Sequence, residues 1–199
     1  MAMRFWMGLF FLLFAIHPLH ALRVDPSTSR FSAGHQKFRI DTFDFSGEYP
    51  QLANIDIDAR RNKRVDLLLT GVYPALEEVC YEGSFGVLKG EITGSFPKLT
   101  VMNILCSSAS MSLDLRGKWE NSCAINIRGS TGDISILLPK DVGITVHTKA
   151  TPLGKVIATS VQQQGWGLIN KTFTNDQAET APVQLTIHVE VTKATITLE

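Results

Sequence analysis

Hydrophobic and polar positions along this chain follow a period of two inside a longer period of about two dozen. The short period places alternate side chains on one face of a strand. The long period is marked by a corner motif. Ser46-Gly47-Glu48-Tyr49-Pro50-Gln51-Leu52, Thr70-Gly71-Val72-Tyr73-Pro74-Ala75-Leu76 and Thr93-Gly94-Ser95-Phe96-Pro97-Lys98-Leu99 share the pattern [ST]-G-x-[YF]-P-x-L, and Arg116-Gly117-Lys118-Trp119 is a degenerate fourth copy. The glycines at 47, 71, 94 and 117 are separated by 24, 23 and 23 residues. Eight and ten residues after each glycine stand Ile55 and Ile57, Val79 and Tyr81, Met102 and Ile104, Ile125 and Ile127. A second alternating segment closes each unit: Val65-Asp66-Leu67, the less regular Val87-Leu88-Lys89-Gly90, Met111 to Leu115, and Ile134-Ser135-Ile136.

Each unit of about 23 residues therefore reads as two short strands and two turns. Such a unit cannot bury its apolar face alone, whereas units stacked at the ~4.8 Å strand spacing bury a continuous core. The expected fold is all-β, a short single-stranded β-solenoid over residues 37–199. Phe38 to Phe45 is its entering strand. Gly143 to His147, Lys155 to Ala158, Val183 to Val191 and Ala194 to Leu198 are further strands. Residues 183–199 form the expected C-terminal cap, and open end strands invite self-association. Residues 162–182 are polar and turn-rich and read as a long loop. Residues 22–36, with Pro26 and several Ser and Thr, read as a flexible lead-in.

The first 21 residues stand apart from this pattern. Met1 to Arg4 is a short basic start, Phe5 to Ile16 an apolar run of 12, and His17 to Ala21 a breaker ending in a small residue. This is the plan of a secretory signal peptide cleaved after Ala21; the alternative is an uncleaved N-terminal anchor. Twelve apolar residues fall short of a bilayer span, and no later stretch reaches membrane length. The chain is thus expected to be exported, periplasmic or extracellular. Cys80, Cys106 and Cys123 are then either three small buried hydrophobes or one disulfide and a leftover thiol.

Charge narrows the function further. The chain carries 19 basic and 19 acidic residues, and removal of Arg4 with the leader leaves 18 against 19. A nucleic-acid binder needs a basic excess, so that class ranks low. Tyr49, Tyr73, Phe96 and Trp119 hold one position in successive units. They form either a packing ladder or, facing water, a platform for sugar rings. Arg60, Arg61, Lys63 and Arg64 are either a solvated loop or a contact for an anionic surface. His35, His147 and His188 are read as isolated, with no metal-ligand spacing. Asp56, Cys80, Asn103 and Asn126, nine residues after each glycine, read as a polar outward ladder. Asn170-Lys171-Thr172 is a glycosylation sequon, relevant only in a eukaryotic host. No nucleophile elbow, phosphate loop or dinucleotide fingerprint is present, and no catalytic residue, metal or cofactor is assigned.

Gly132 to Pro139, a strand ending in Leu-Pro, is followed by Val142-Gly143-Ile144-Thr145-Val146 and by Leu153-Gly154-Lys155-Val156. From about residue 115 onward this order resembles the toast-rack and adhesin-like β-helical families. It is similar too to the C-terminal domain of the cell-wall-active-antibiotic-response proteins of bacteria. The resemblance implies a β-helical fold and, in the antibiotic-response branch, envelope-stress signalling through protein contacts. It supplies no catalytic residue, and this chain lacks that branch's membrane helices. The expected function is a non-enzymatic envelope protein acting as scaffold, adhesion or signalling module. The alternative is a carbohydrate-binding or carbohydrate-processing solenoid.

Overall fold

The computed structural model describes residues 21–23, 25–33, 42–151 and 154–199. The expected leader therefore lies outside the described residues except for Ala21, as does the first half of the entering strand. Each turn of the chain visits three sides of a prism. Face A is built from β2 (Arg30–Ala33), β4 (Asn54–Asp58), the first half of β6 (Glu78–Glu91), the first half of β8 (Val101–Asp114) and β10 (Cys123–Thr131). Face B takes β1 (Ala21–Arg23), β3 (Thr42–Asp44), β5 (Arg64–Leu68), the second halves of β6 and β8, and β11 (Ile134–Leu137). The third side is the corner motif, with β7 (Ser95–Phe96) pairing β9 (Lys118–Trp119). The pairs along both faces are parallel and in register, and Asn54–Asp58 lies on Glu78–Glu82, which lies on Val101–Leu105. This is a single-stranded β-solenoid.

The interior consists of columns, one residue per turn. Phe31, Ile55, Val79, Met102 and Ile125 are successive register partners on face A. Leu67, Gly90, Leu113 and Ile136 follow one another on face B. Apolar side chains stack at the strand spacing, with the Leu113 side chain filling the space that Gly90 leaves, so one alternating pattern copied each turn fills the core. At the corner, Gly71, Gly94 and Gly117 each pack against the carbonyl of the preceding glycine, while Gly47, Gly71 and Gly94 accept hydrogen bonds from the N–H groups of Val72, Ser95 and Lys118 at 2.7–2.9 Å. The glycines stand in one column, as the repeat requires.

The chain departs from simple succession after β11. β12 (Gly143–Ala150) and β13 (Lys155–Ala158) do not lie on β10 and β11. The last turn, β16 (Gln184–Lys193) and β17 (Thr195–Leu198), is inserted between them: β16 pairs β10 on one side and β12 on the other, and β17 pairs β11 and β13. The expectation that 183–199 caps the stack is thus corrected. These residues are an interior rung, because both faces of their alternation match the columns above and below. The stack is closed beyond β12 by the hairpin of β14 (Gln162–Gln164) and β15 (Asn170–Thr174), with β15 antiparallel to β12. The expected loop 162–182 therefore contains two strands. They lack apolar alternation because, as the outermost rung, they cover one face only; Phe173 is the core-facing exception, 4% exposed. The expected lead-in 22–36 likewise carries strands: β2 pairs β4, β1 pairs β3, and Ala33 is buried. Among the described residues no helix is long and apolar enough to cross a membrane.

Candidate functional site

Four groups of side chains singled out in the sequence find different places. The rings of Tyr49, Tyr73, Phe96 and Trp119 do form a ladder, with centroids 5.7, 5.3 and 5.1 Å apart. The ladder points inward, and no ring is more than 5% exposed. The Tyr73 hydroxyl donates to the Phe45 carbonyl and accepts from the Gly71 N–H, and the Trp119 indole donates to the Leu115 carbonyl at 2.8 Å. Burial holds the Tyr73 phenol well above its ordinary pKa. With both ring faces covered by neighbours, the ladder offers nothing for a sugar to stack on, and the platform reading is corrected to core. The corner motif fixes this direction: Pro after the aromatic residue starts a turn, and the Leu three residues on, exemplified by Leu76, donates its N–H to the carbonyl of that aromatic residue, Tyr73, at 3.3 Å.

The basic run sits on the edge where face A turns into face B. Arg60 is held by Asp58 at 2.6 Å and approaches Glu82 at 3.7 Å, and Arg64 approaches Asp66 at 3.5 Å. Arg61 and Lys63 are exposed. Cys80, Cys106 and Cys123 are free thiols. Burial pushes Cys106 up to about 11 and Cys123 up to about 12, so both are unreactive core residues near neutral pH.

The fourth group makes a surface that the sequence did not reveal. The outward ladder of Asp56, Cys80, Asn103 and Asn126 does not end at the fourth unit. In register it continues through His188 of the inserted rung to His147 and Thr172. The Asn126 amide donates to Asn103 at 2.9 Å, and Asn103 donates to the Cys80 sulfur at 3.7 Å. The His147 and His188 rings stack 5.0 Å apart at 18°, and His147 Nδ1 lies 3.2 Å from the Thr172 hydroxyl. The reading of His147 and His188 as isolated is therefore corrected: 41 residues apart in sequence, they become neighbours because β16 pairs β12 in register. His35 lies outside the described residues.

Two residues further along each strand runs a charged row. Lys149 binds Glu190 at 2.6 Å, and Arg128 approaches Glu190 at 3.8 Å. Lys149 holds the Glu190 carboxyl below its usual range, mainly through the hydrogen bond. Together the histidine pair, Asn126, Arg128, Lys149 and Lys171 line a shallow depression of about 430 Å³. Three cations and one carboxylate give it a positive balance suited to acidic groups. Among the described residues no group of three or more His, Cys, Asp or Glu side chains could hold a metal.

The histidine pair makes the site responsive to pH. Partial burial, and then the neighbouring His188, lower the His147 pKa from its ordinary 6.5. An unfolded chain takes up a proton at His147 as pH falls through about 6.5, while the folded chain resists it. The stability from this residue is present above that pH and declines as pH drops toward the folded pKa. Thermal denaturation between pH 7.5 and 5.5 should show Tm falling with pH, less steeply in His188→Asn and not from this source in His147→Asn.

Comparison with known proteins agrees with this architecture. The family model described as "Cell wall-active antibiotics response LiaF, C-terminal" matches residues 95–198. No curated protein matches the chain. Among solved structures, a candidate cell adhesion protein from Clostridium sporogenes ATCC 15579 superposes with a TM-score of 0.53 at 19% identity, over 69% of this chain and 57% of that one. This chain thus spans little more than half the length of that structure, and the likeness is one of fold.

Proposed function

The chain belongs to the family of the C-terminal domain of the cell-wall-active antibiotics response protein LiaF, and on that premise we propose that it is an exported, non-enzymatic envelope protein that works as a scaffold or signalling module by docking another protein on face A. The observation that carries this reading is the pre-arranged surface around His147 and His188. Its side chains are spaced by the strand register and tied to one another by the Asn103–Asn126 bond, the ring stack and the Lys149–Glu190–Arg128 row. A surface already ordered in this way loses little conformational entropy when a partner binds. Its cations select a partner segment rich in Asp or Glu. The apolar leader supports export. The carbohydrate-binding alternative has lost its stacking platform, since the aromatic ladder is core.

A photo-crosslinking residue placed at Thr186, on the outward side of face A, tests the reading in envelopes of the native host. It should yield a discrete protein adduct that falls on the order of tenfold in the Arg128→Glu/Lys149→Glu double variant, because reversing rim charges opposes encounter. The same probe at Ser135 on face B should yield none. Equal labelling from both faces, or no adduct at either, would refute docking through face A.

A further inference from the structure

Of the eight exposed large apolar side chains among the described residues, Val72 stands at the glycine corner and Ile157 on β13, and the other six gather along one edge. Trp166 is 105% exposed and Leu168 94%, with Ile169 beside them, on the tip of the β14–β15 hairpin. Phe85, Val87 and Leu105 are 52%, 46% and 44% exposed. All six lie on or beside the edge where face A turns into face B. The register establishes this. Gly86 packs on the Lys63 carbonyl, Phe85 is partnered with Ser108, Ser108 with Thr131 and Thr131 with Lys193, while Ala150 donates its N–H to the Ile169 carbonyl. Following face A from β4 through β6, β8, β10, β16 and β12 to β15, the edge crosses six strand spacings, roughly 29 Å.

Cations occupy both ends of this edge. Arg61 and Lys63 stand at one end, in the turn between β4 and β5, and Lys171 and Lys193 stand near the hairpin tip. None of these four makes an ion pair among the described residues, whereas the carboxylates nearby are engaged: Asp58 and Glu82 by Arg60, Glu190 by Lys149. Here is a long edge with Trp166 and Leu168 protruding at one end and free cations beside them, and a shallow depression of about 390 Å³ opens beside Val87 toward face B. A protein partner is anchored by side chains seated in pockets. A Trp-Gly-Leu-Ile tip standing clear of the body instead suits the headgroup layer of a bilayer, where Trp is favoured and basic side chains meet anionic lipid.

We infer that the A/B edge is a membrane-docking surface, with Trp166 and Leu168 inserted into the interface of an anionic bilayer and Arg61, Lys63 and Lys193 on its headgroups. The docked edge leaves face A free to one side, so the same molecule can hold a protein partner while lying on lipid.

Tryptophan quenching by vesicles with bromine-labelled acyl chains tests this on the whole chain. The difference between wild-type and Trp166→Phe emission isolates Trp166 from Trp6 and from buried Trp119, whatever the apolar N-terminal segment does. On vesicles of phosphatidylcholine with about a third phosphatidylglycerol, the Trp166 signal should be quenched and shifted to shorter wavelength. On pure phosphatidylcholine, the lipid concentration needed should rise at least about tenfold, as loss of several cation–headgroup contacts demands. Arg61→Glu/Lys63→Glu should raise it on anionic vesicles too. These two side chains are exposed and unpaired, so the fold is retained, which circular dichroism checks. An unquenched Trp166 on both vesicle types would overturn the inference, and so would equal quenching on neutral and anionic lipid.

Discussion

A chain ending at Pro182 is expected to lose the ordered C-terminal half of the stack. Residues 183–199 fill an interior rung, so their removal exposes four ladders at once. β16 has eight register partners on β10 and eight on β12. β17 has three on β11 and four on β13. Leu185, Ile187, Val189, Val191, Ile196 and Leu198 are all 4% exposed or less. At about 1.5–3 kcal/mol for each fully buried aliphatic side chain, six of them contribute on the order of 10 kcal/mol, as much as the whole net stability of an ordinary domain. Without this rung, β12 keeps only the β14–β15 hairpin and β13 keeps no ladder partner among the described residues. Hydrogen exchange on the truncated chain should show residues 123–174 unprotected, while 54–91 retain protection, because a solenoid turn depends chiefly on its neighbours. Ile187→Asp, which buries a carboxylate within the Ile125–Ile187–Val146 column, should act in the same direction at a cost of about 4 kcal/mol or more. A truncated chain with wild-type protection over 143–158 would contradict the assigned topology.

The inserted rung also marks where sequence reasoning stops. The column of turns from Gly47 to Gly117 was legible because each copy is laid on the one before it, so stacking order equals chain order. Nothing local in Val183 to Leu198 distinguishes a rung added at the end from a rung slid between two others; the alternation of Leu185, Ile187 and Val189 fits either. The consequence reaches the candidate site. Had the turns stacked in order, His147 would sit beside Asn126 and His188 beside His147 on its other side. The insertion puts His188 between Asn126 and His147 and brings Glu190 between Arg128 and Lys149, which gives the row its ion pairs. The ladder position itself could have been extended from sequence, since His147 and His188 are the outward residues of alternating strands Ile144–Val146 and Ile187–Val189. The β14–β15 hairpin was hidden for another reason. Gln162, Gln163 and Gln164 are all exposed, and a strand with no buried face has no period to read. The aromatic ladder shows the converse: its positions were legible, but inward and outward rings obey the same spacing, and only the turn geometry after Pro50 and Pro74 selects the core.

Gly71→Ala should unfold the N-terminal turns or cost more than about 3 kcal/mol, although it adds a single methyl group. A Cβ at Gly71 would lie 2.0 Å from the Gly47 carbonyl oxygen and 2.7 Å from its nitrogen, both backbone atoms that no rotamer change can move. The Gly47 carbonyl is also the acceptor for Val72 N–H at 2.7 Å, so retreat from the methyl breaks the bond that sets the distance between turns. The Gly71 N–H is in turn held by the Tyr73 hydroxyl at 3.0 Å. A shift here therefore reaches the ring ladder. Glycine and ring are coupled in the next unit as well, where a Cβ at Gly94 would meet Tyr73 at 2.9 Å. This is the physical content of the recurring Gly-x-aromatic spacing: the missing side chain of one turn makes room for the backbone and the ring of the turn before. Gly129→Ala is the matched control. It lies within strand β10, and its Cβ would find nothing nearer than 3.4 Å, so it should change stability by less than about 1 kcal/mol. Urea denaturation of the two variants separates the cases, and a Gly71→Ala protein as stable as Gly129→Ala would mean that the turns are not held at the spacing that the glycine column imposes.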